Sequence, residues 1–377
     1  MQYRDFGNTG IRVSALGCGG MRIPFDIIDG KNVYNHEKGE AIFRRAFELG
    51  VNYVDSAPFY NDGQSEIIIG KALKGWRDKV YVSTKSPIGS DKGDGKAFVE
   101  RLETSLKKLD TDYIDFYHMW GIGMESYTEY MLTKDGPLQQ AFKAKEEGLI
   151  KHLSFSFHDS PENLIKLIST GHFETVLLQY NLLDRGNEEG IAYAKEKGLG
   201  VAVMGPLAGG KLGYASKAIQ DMIPGERISS PEIALRFVLS NPGVSLALSG
   251  MDSIEVLEDN VRIVSNENPL TDEEKLNIEK SLEENKKMAE LYCTGCKYCM
   301  PCPHEVNIPL NFDIMNYHRV YGLTEYARQQ YQKIGVESWM NGKKAHECID
   351  CGVCETKCPQ KLKIREQLKE VAKVLNV

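Results

Sequence analysis

The feature that most limits how this chain can fold is an alternation running from about residue 10 to residue 265. Eight short apolar runs recur there: VSALGC (13–18), VNYVDS (51–56), KVYVST (79–84), DYIDFYH (112–118), IKHLSFS (150–156), ETVLLQ (174–179), GLGVAVM (198–204) and GVSLALS (243–249). Most are rich in Val, Ile and Leu without strict alternation, as strands buried on both faces of a parallel sheet are. Between them lie amphipathic stretches such as GEAIFRRAFELG, SPENLIKLIST and SSPEIALRFVLSN. Several open on Ser, Asp or Pro and close on Gly or Asn, the usual start and stop residues of helices. Eight strands, seven intervening helices and the acidic helical stretch TDEEKLNIEKSLEENKKMAELY predict one (β/α)8 TIM barrel, a fold of about 250 residues or more. An open doubly wound sheet is also built from β–α units. A dinucleotide-binding sheet of that kind carries G-x-G-x-x-G after its first strand, whereas here GCGGMRIP leads into a long polar stretch.

Cysteine usage separates the end of the chain from the rest. Of nine cysteines, eight fall in two runs: Cys293, Cys296, Cys299, Cys302 before Pro303, and Cys348, Cys351, Cys354, Cys358 before Pro359. Cysteines that staple a secreted protein are spread along the chain; such tight spacing indicates metal ligation. The C-x2-C-x2-C-x3-C-P spacing of the second run is that of a [4Fe–4S] cluster whose fourth cysteine serves a neighbouring cluster. Two Zn(Cys)4 sites are the alternative, although zinc ribbons use separated C-x-x-C pairs rather than consecutive triples. The first run departs from the pattern, with two residues rather than three before its last cysteine. The expected domains are therefore 1–290, the barrel, and 291–377, a small and mainly α-helical cluster domain with a helical linker over about 309–345. Cys18 reads as barrel packing. His304, His318 and His346 read as surface residues, since eight thiolates already suffice.

The chain has 377 residues, 42% hydrophobic and 26% charged, with a formal net charge of -7. An acidic balance excludes a broad nucleic-acid surface, which needs clustered Lys and Arg. No apolar run approaches the ~20 residues of a membrane span, and MQYRDFGNTG lacks the basic flank and apolar core of a secretory signal. A cytoplasmic protein without membrane or nucleic-acid partners is expected.

In a parallel barrel the C-terminal ends of all strands share one face. The second expected strand ends in Asp55, with Tyr60 five residues on; the third ends at Lys85 and the fourth at His118. Singly these have plain structural readings: a loop cap, its ion-pair partner, a core histidine, a rim aromatic. Together they form a set with one chemistry. Lys85 beside Tyr60 would lower the phenol from about 10 toward neutrality, Asp55 would hold the lysine, and His118 would donate to a carbonyl oxygen. That delivers a proton where negative charge develops, as hydride addition to a carbonyl demands.

YRDFGNTGIRVSALGCGGM resembles the opening hairpin and first strand of the aldo-keto reductases. DSAPFYNDGQSEIIIGKAL is similar to that family's aspartate–tyrosine motif, and VSTK and DFYH match its lysine and histidine segments. The resemblance covers roughly residues 1 to 265. It implies a barrel that binds NAD(P) in extended form, with Tyr60 as general acid, His118 as the substrate-orienting donor, and Lys85 with Asp55 tuning the tyrosine. It implies that Ser156 and Gln179 bond the nicotinamide amide and that Met204 stands where an aromatic usually stacks. Pro206, Leu207, Gly209 and Gly210 belong to a loop, Pro206 to Leu212, folding over the pyrophosphate. Gly250, Ser253, Glu258 and Asn260 fall near the adenosine. Phe157 replaces a usual Asn. Asp252 stands where basic residues grip a 2′-phosphate, which tilts the expectation toward NADH.

The cysteine runs resemble ferredoxin-type domains in which a helical insert separates the two motifs. The resemblance implies one cluster on Cys293, Cys296, Cys299 and Cys358, and another on Cys348, Cys351, Cys354 and Cys302. The expected function is hydride transfer between NAD(P)(H) and a small carbonyl or alcohol, with two [4Fe–4S] clusters for structure or for electron exchange with a redox partner protein. Hydride carries two electrons and a cluster one, so coupling them would need an intermediary such as a flavin, and no flavin motif is visible. The alternative is a non-catalytic nicotinamide-binding redox sensor or electron-transfer scaffold. Phe59, Trp120 and the stretch 121–134 are the expected substrate walls.

Overall fold

The computed structural model describes residues 1–29, 31–224, 228–293 and 295–377. Eight parallel strands close a barrel in chain order: β1 (Leu16–Gly19), β2 (Tyr53–Asp55), β3 (Tyr81–Ser86), β4 (Ile114–Ile122), β5 (Ile150–Phe157), β6 (Thr175–Gln179), β7 (Gly200–Met204) and β8 (Leu246–Ser249). β8 returns to pair with β1, Ser249 opposite Cys18. The predicted (β/α)8 fold is the observed one. The first apolar run divides: Arg12–Ser14 forms a hairpin with Tyr3–Asp5, and only Leu16–Gly19 enters the barrel. The polar stretch after β1 contains a second hairpin, Phe25–Ile28 with Lys31–Tyr34, which its composition did not announce.

The N-terminal hairpin, Tyr3–Asp5 with Arg12–Ser14, closes the floor of the barrel. Phe6, just past its first strand, inserts among Tyr53, Phe116, Leu177, Ala202 and Leu246, its ring centroid 5.8 Å from Tyr53 and 4.9 Å from Phe116. A Cβ at position 200 would lie 2.3 Å from the Phe6 ring, so this plug requires Gly200. The floor is thus sealed by aromatic packing, and polar groups collect at the other end of the strands. Cys18 is buried in the wall, and burial pushes its thiol up to about 12, as suits packing rather than reactivity.

Backbone proximity divides the chain into two compact units, residues 1–209 with 234–269, and residues 210–233 with 270–377. This differs from a single cut at 290. The segment after Gly209 packs with the cysteine-bearing unit, where Lys211 Nζ donates to the Tyr317 hydroxyl (2.5 Å) and the Tyr214 hydroxyl to Gln329 (2.8 Å). The expected single helical linker is two helices, Ile308–Arg319 and Thr324–Lys333. They share a core with Ile364–Leu375 through Phe312, Met315, Tyr331, Leu368 and Val371.

Candidate active site and cysteine groups

Strand register assembles the polar set. Asp55 lies opposite Ser83, and Lys85, two residues on and on the same face, lies opposite His118. Lys85 is 1% exposed and His118 fully buried. Lys85 Nζ donates to Asp55 Oδ2 and to the Ser56 carbonyl, both at 2.5 Å, and sits 4.7 Å from the centre of the Tyr60 ring. His118 Nε2 is 3.7 Å from Asp55 Oδ1. All four predicted residues therefore meet at the C-terminal mouth. Ser83 is a member that the sequence reading missed: its hydroxyl donates to Asp55 Oδ1 (2.7 Å) and fixes the carboxylate facing Lys85. Its signal was the strand period of two, which puts it on the same face as Lys85.

The electrostatics correct one expectation. Burial raises the Tyr60 phenol; Lys85 pulls it down and Asp55 pushes it up, and the balance is upward rather than toward neutrality. Burial works against the Lys85 ammonium, but Asp55 and Tyr60 more than offset it, so Lys85 stays charged. Burial and the Lys85 charge hold His118 well below the usual imidazole range, against an opposing pull from the Phe155 backbone. A neutral imidazole, a charged lysine and a protonated phenol follow at neutral pH. Neither ring nitrogen of the buried His118 has a close hydrogen-bond partner, the condition of a site shaped for a polar ligand atom. A cleft of about 240 Å³ is lined by Phe59, Pro87, Ser90, Trp120 and Ser126, and it adjoins the polar set through Trp120, edge-on to Tyr60 at 5.7 Å.

The expected nucleotide residues have particular ties. Ser156 Oγ accepts from the Gly121 N–H (2.8 Å). Gln179 and Met204 end adjacent strands in register. Ala208, Gly209 and Gly210 turn through three successive left-handed residues (φ 50, 67 and 95). Ser253 caps the helix Ile254–Ser265, accepting from Val256 N–H. Glu258 is exposed and paired with Arg45 at 2.8 Å, and buried Asn260 donates to Ser249 Oγ (3.3 Å). Arg22 was overlooked. Its stem covers Gly250, where a Cβ would stand 3.0 Å from it, and its guanidinium donates to the Gly209 carbonyl (2.6 Å). A cation from the loop after β1 thus reaches the rim where Asp252 offers none.

In the second unit, Cys302, Cys348, Cys351 and Cys354 line one cavity with His304 and Arg365; His304 is therefore not a plain surface residue. Burial raises the Cys293 thiol, as do Cys296 and Cys358 beside it, against the Gly295 N–H. Burial and Cys293 push Cys299 up to about 11. Among the described residues no three His, Cys, Asp or Glu side chains converge on a single ion. Four thiols lining one cavity suit a cluster, in which each thiolate binds its own iron at a separate corner, better than a single ion. Among the described residues, no helix is long and apolar enough to cross a membrane.

Comparison with known proteins agrees with this geometry. The sequence profile described as "Aldo/keto reductase family" matches residues 15–283, and that described as "4Fe-4S dicluster domain" matches residues 292–362. The "Uncharacterized oxidoreductase YqkF" of Bacillus subtilis (strain 168) is 28% identical over 307 residues, covering 73% of this chain and 94% of that protein. The "L-galactose dehydrogenase" of Arabidopsis thaliana is 29% identical over 302 residues, covering 74% and 92%. Among solved structures, the holo form of the aldo-keto reductase AKR11C1 from Bacillus halodurans superposes with a TM-score of 0.64 at 29% identity, covering 74% of this chain and 96% of that one. A barrel closed in this order, an Asp–Tyr–Lys–His set at its mouth and a profile match across most of the barrel make this chain an NAD(P)-dependent oxidoreductase of the aldo/keto reductase family, with a 4Fe-4S dicluster-type domain at its C-terminal end.

Proposed function

We propose that the barrel reduces a small carbonyl, or oxidises the corresponding alcohol, with Tyr60 moving the proton. The observation that carries this is the contact set around Lys85, which touches Asp55 and faces the Tyr60 ring. A bound nicotinamide supplies the hydride. Tyr60, kept protonated by its buried setting, gives its proton to the carbonyl oxygen as charge develops there. The Lys85 ammonium stabilises the phenolate left behind, and Asp55, clamped by Ser83, keeps the ammonium in place. Neutral His118 donates to the same oxygen and orients it. Phe59 and Trp120 exclude water from the cleft and favour a small, partly apolar substrate.

Ser156, Gln179 and Met204 are assigned to the nicotinamide, the stretch from Pro206 to Gly210 to the pyrophosphate, and Gly250, Ser253 and Asn260 to the adenosine end. Glu258 would hold Arg45 rather than the nucleotide. Arg22 offers a charge for a phosphate, which weakens the tilt toward NADH. We assign Cys293, Cys296, Cys299 and Cys358 to one [4Fe–4S] cluster, and Cys302, Cys348, Cys351 and Cys354 to a second that exchanges electrons with a partner protein. The shared cavity of the last four supports this, as does the pull of Cys296 and Cys358 on Cys293. Two measurements test the proposal. Nicotinamide deuterated at C4 should pass its label to a probe aldehyde such as 4-nitrobenzaldehyde, and anaerobic protein should contain iron and acid-labile sulfide but no stoichiometric zinc. No label transfer over a broad panel of aldehydes and ketones would leave the non-catalytic reading.

A further inference from the structure

Tyr60 stands inside a loop, so its ring meets Lys85 only if both ends of that loop are fixed. The loop leaves β2 at Ser56 and ends where the helix Ser65–Ala72 begins. Just past Tyr60 the chain turns through three successive left-handed residues, Asn61 (φ 55), Asp62 (φ 52) and Gly63 (φ 81). Backbone of that kind persists where its surroundings over-determine it. Two fully buried serines at the ends of the loop do so here. The Ser56 hydroxyl donates to Ser65 Oγ (2.8 Å), and the Ser65 hydroxyl donates in turn to the Gly20 carbonyl (2.8 Å). The Gly20 N–H then donates to the Asp55 carbonyl (2.7 Å), which returns the chain of bonds to β2. Position 20 has no room for a side chain. A Cβ there would stand 2.4 Å from Ser65 Oγ and 2.9 Å from the Asp55 carbonyl oxygen.

These bonds reach the reacting groups from both ends of the loop. The Ser56 carbonyl accepts from Lys85 Nζ (2.5 Å), and the Ser65 N–H donates to the Tyr60 carbonyl (3.3 Å). Beside Ser65, buried Glu66 accepts from the Thr84 hydroxyl (2.7 Å), which ties the start of the helix to β3 next to Lys85. Lys108 Nζ, from the helix Gly95–Leu109, lies 3.8 Å from the other Glu66 oxygen. The charged groups acting on Tyr60 itself are Lys85 from β3 and Asp55 from β2. From β4 come Trp120, edge-on to the ring, and neutral His118.

We propose that the Ser56–Ser65–Gly20 chain is a clamp that holds the Tyr60 ring against the Lys85 ammonium, with Ser65 its central positioning residue. This rests on the reading that Tyr60 moves the proton. The competing account is that the serines only stabilise the fold. The test records pH–rate profiles of the full-length protein oxidising 4-nitrobenzyl alcohol at saturating NAD(P)+. Ser65→Ala should move the climb in rate upward by about one pH unit, because the phenolate loses contact with an opposite charge. At neutral pH its kcat should fall about tenfold, with nucleotide affinity changed less than about twofold. Ser56→Ala removes the other end of the same bond and should shift the profile in the same direction; it carries the test if Ser65→Ala does not fold. The double variant should be no worse than Ser65→Ala alone, as members of one unit behave. Ser14 is the control, a buried hydroxyl at the barrel floor that donates to the Leu16 carbonyl (2.7 Å) and accepts from the Asn52 N–H (3.0 Å). Ser14→Ala should lower the melting temperature and leave the profile in place. An unmoved profile in the folded Ser65 and Ser56 variants, or an equal move in Ser14→Ala, would overturn the proposal. No turnover by wild type, or equal rates in wild type and Tyr60→Phe, overturns the underlying reading instead.

Discussion

The barrel mouth and the cysteine-bearing unit hold their functional side chains by opposite means. Asp55, Lys85 and His118 stand on hydrogen-bonded strands, in register, with Ser83 and Ser56 fixing their neighbours. The cysteines stand on turns and short helical pieces at the edge of a three-helix core, several of them half-buried or exposed. A barrel can preorganise charges because its backbone bonds are complete without any ligand. Turns of this kind are drawn together by the metal they hold. The first site is expected to keep its geometry when empty, and the second to depend on its cluster.

Removing iron tests that contrast most severely. Chelation, or Cys351→Ser with Cys296→Ser, should abolish cluster absorption and lower the melting temperature of the second unit, while nicotinamide binding changes less than about twofold. Equal loss of both would show that the barrel site is not independent. Next in size is Lys85→Met. It strands a buried Asp55 carboxylate, so stability should fall by about 3–5 kcal/mol and turnover by about a hundredfold or more. The sign of its pH effect follows from Tyr60. Alcohol oxidation uses the phenolate and should climb as pH rises toward the raised Tyr60 value. Without the Lys85 charge that climb should move to still higher pH, as a pH–rate profile would show. Arg22→Ala should weaken nucleotide affinity by about tenfold with little change in kcat, read by fluorescence titration. The smallest effect belongs to the barrel floor. Burial raises the Glu174 carboxyl, but His152 and Lys145 outweigh it and hold it down to about 2. A depressed folded value stabilises above the unfolded pKa of about 4.3 and is lost as pH falls toward 2. Glu174→Gln should therefore cost less than about 1 kcal/mol at neutral pH in a group 33% exposed to solvent, and nothing near pH 2, by chemical denaturation.

The sequence disclosed what local spacing controls. Asp55, Lys85 and His118 could be placed because each lies toward the end of an apolar run, although the fourth strand continues past His118 to Ile122, and the cysteine runs because their gaps are short and regular. What escaped it depends on packing between distant segments. Arg22 matters only because Gly250 and the Gly209 carbonyl come to it from loops after two other strands. The upward shift of Tyr60 reflects burial, which outweighs the lysine and which no motif encodes. Residues 210–233 lie inside the β–α alternation, so nothing local signalled that they pack with the cysteine unit.

The account turns on whether one phenol delivers the proton. Single-turnover reduction of 4-nitrobenzaldehyde by pre-bound NAD(P)H, wild type against Tyr60→Phe, reads this directly, with nucleotide affinity measured alongside. A rate lower by about a hundredfold or more with unchanged nucleotide affinity is the predicted result. Equal rates would contradict it.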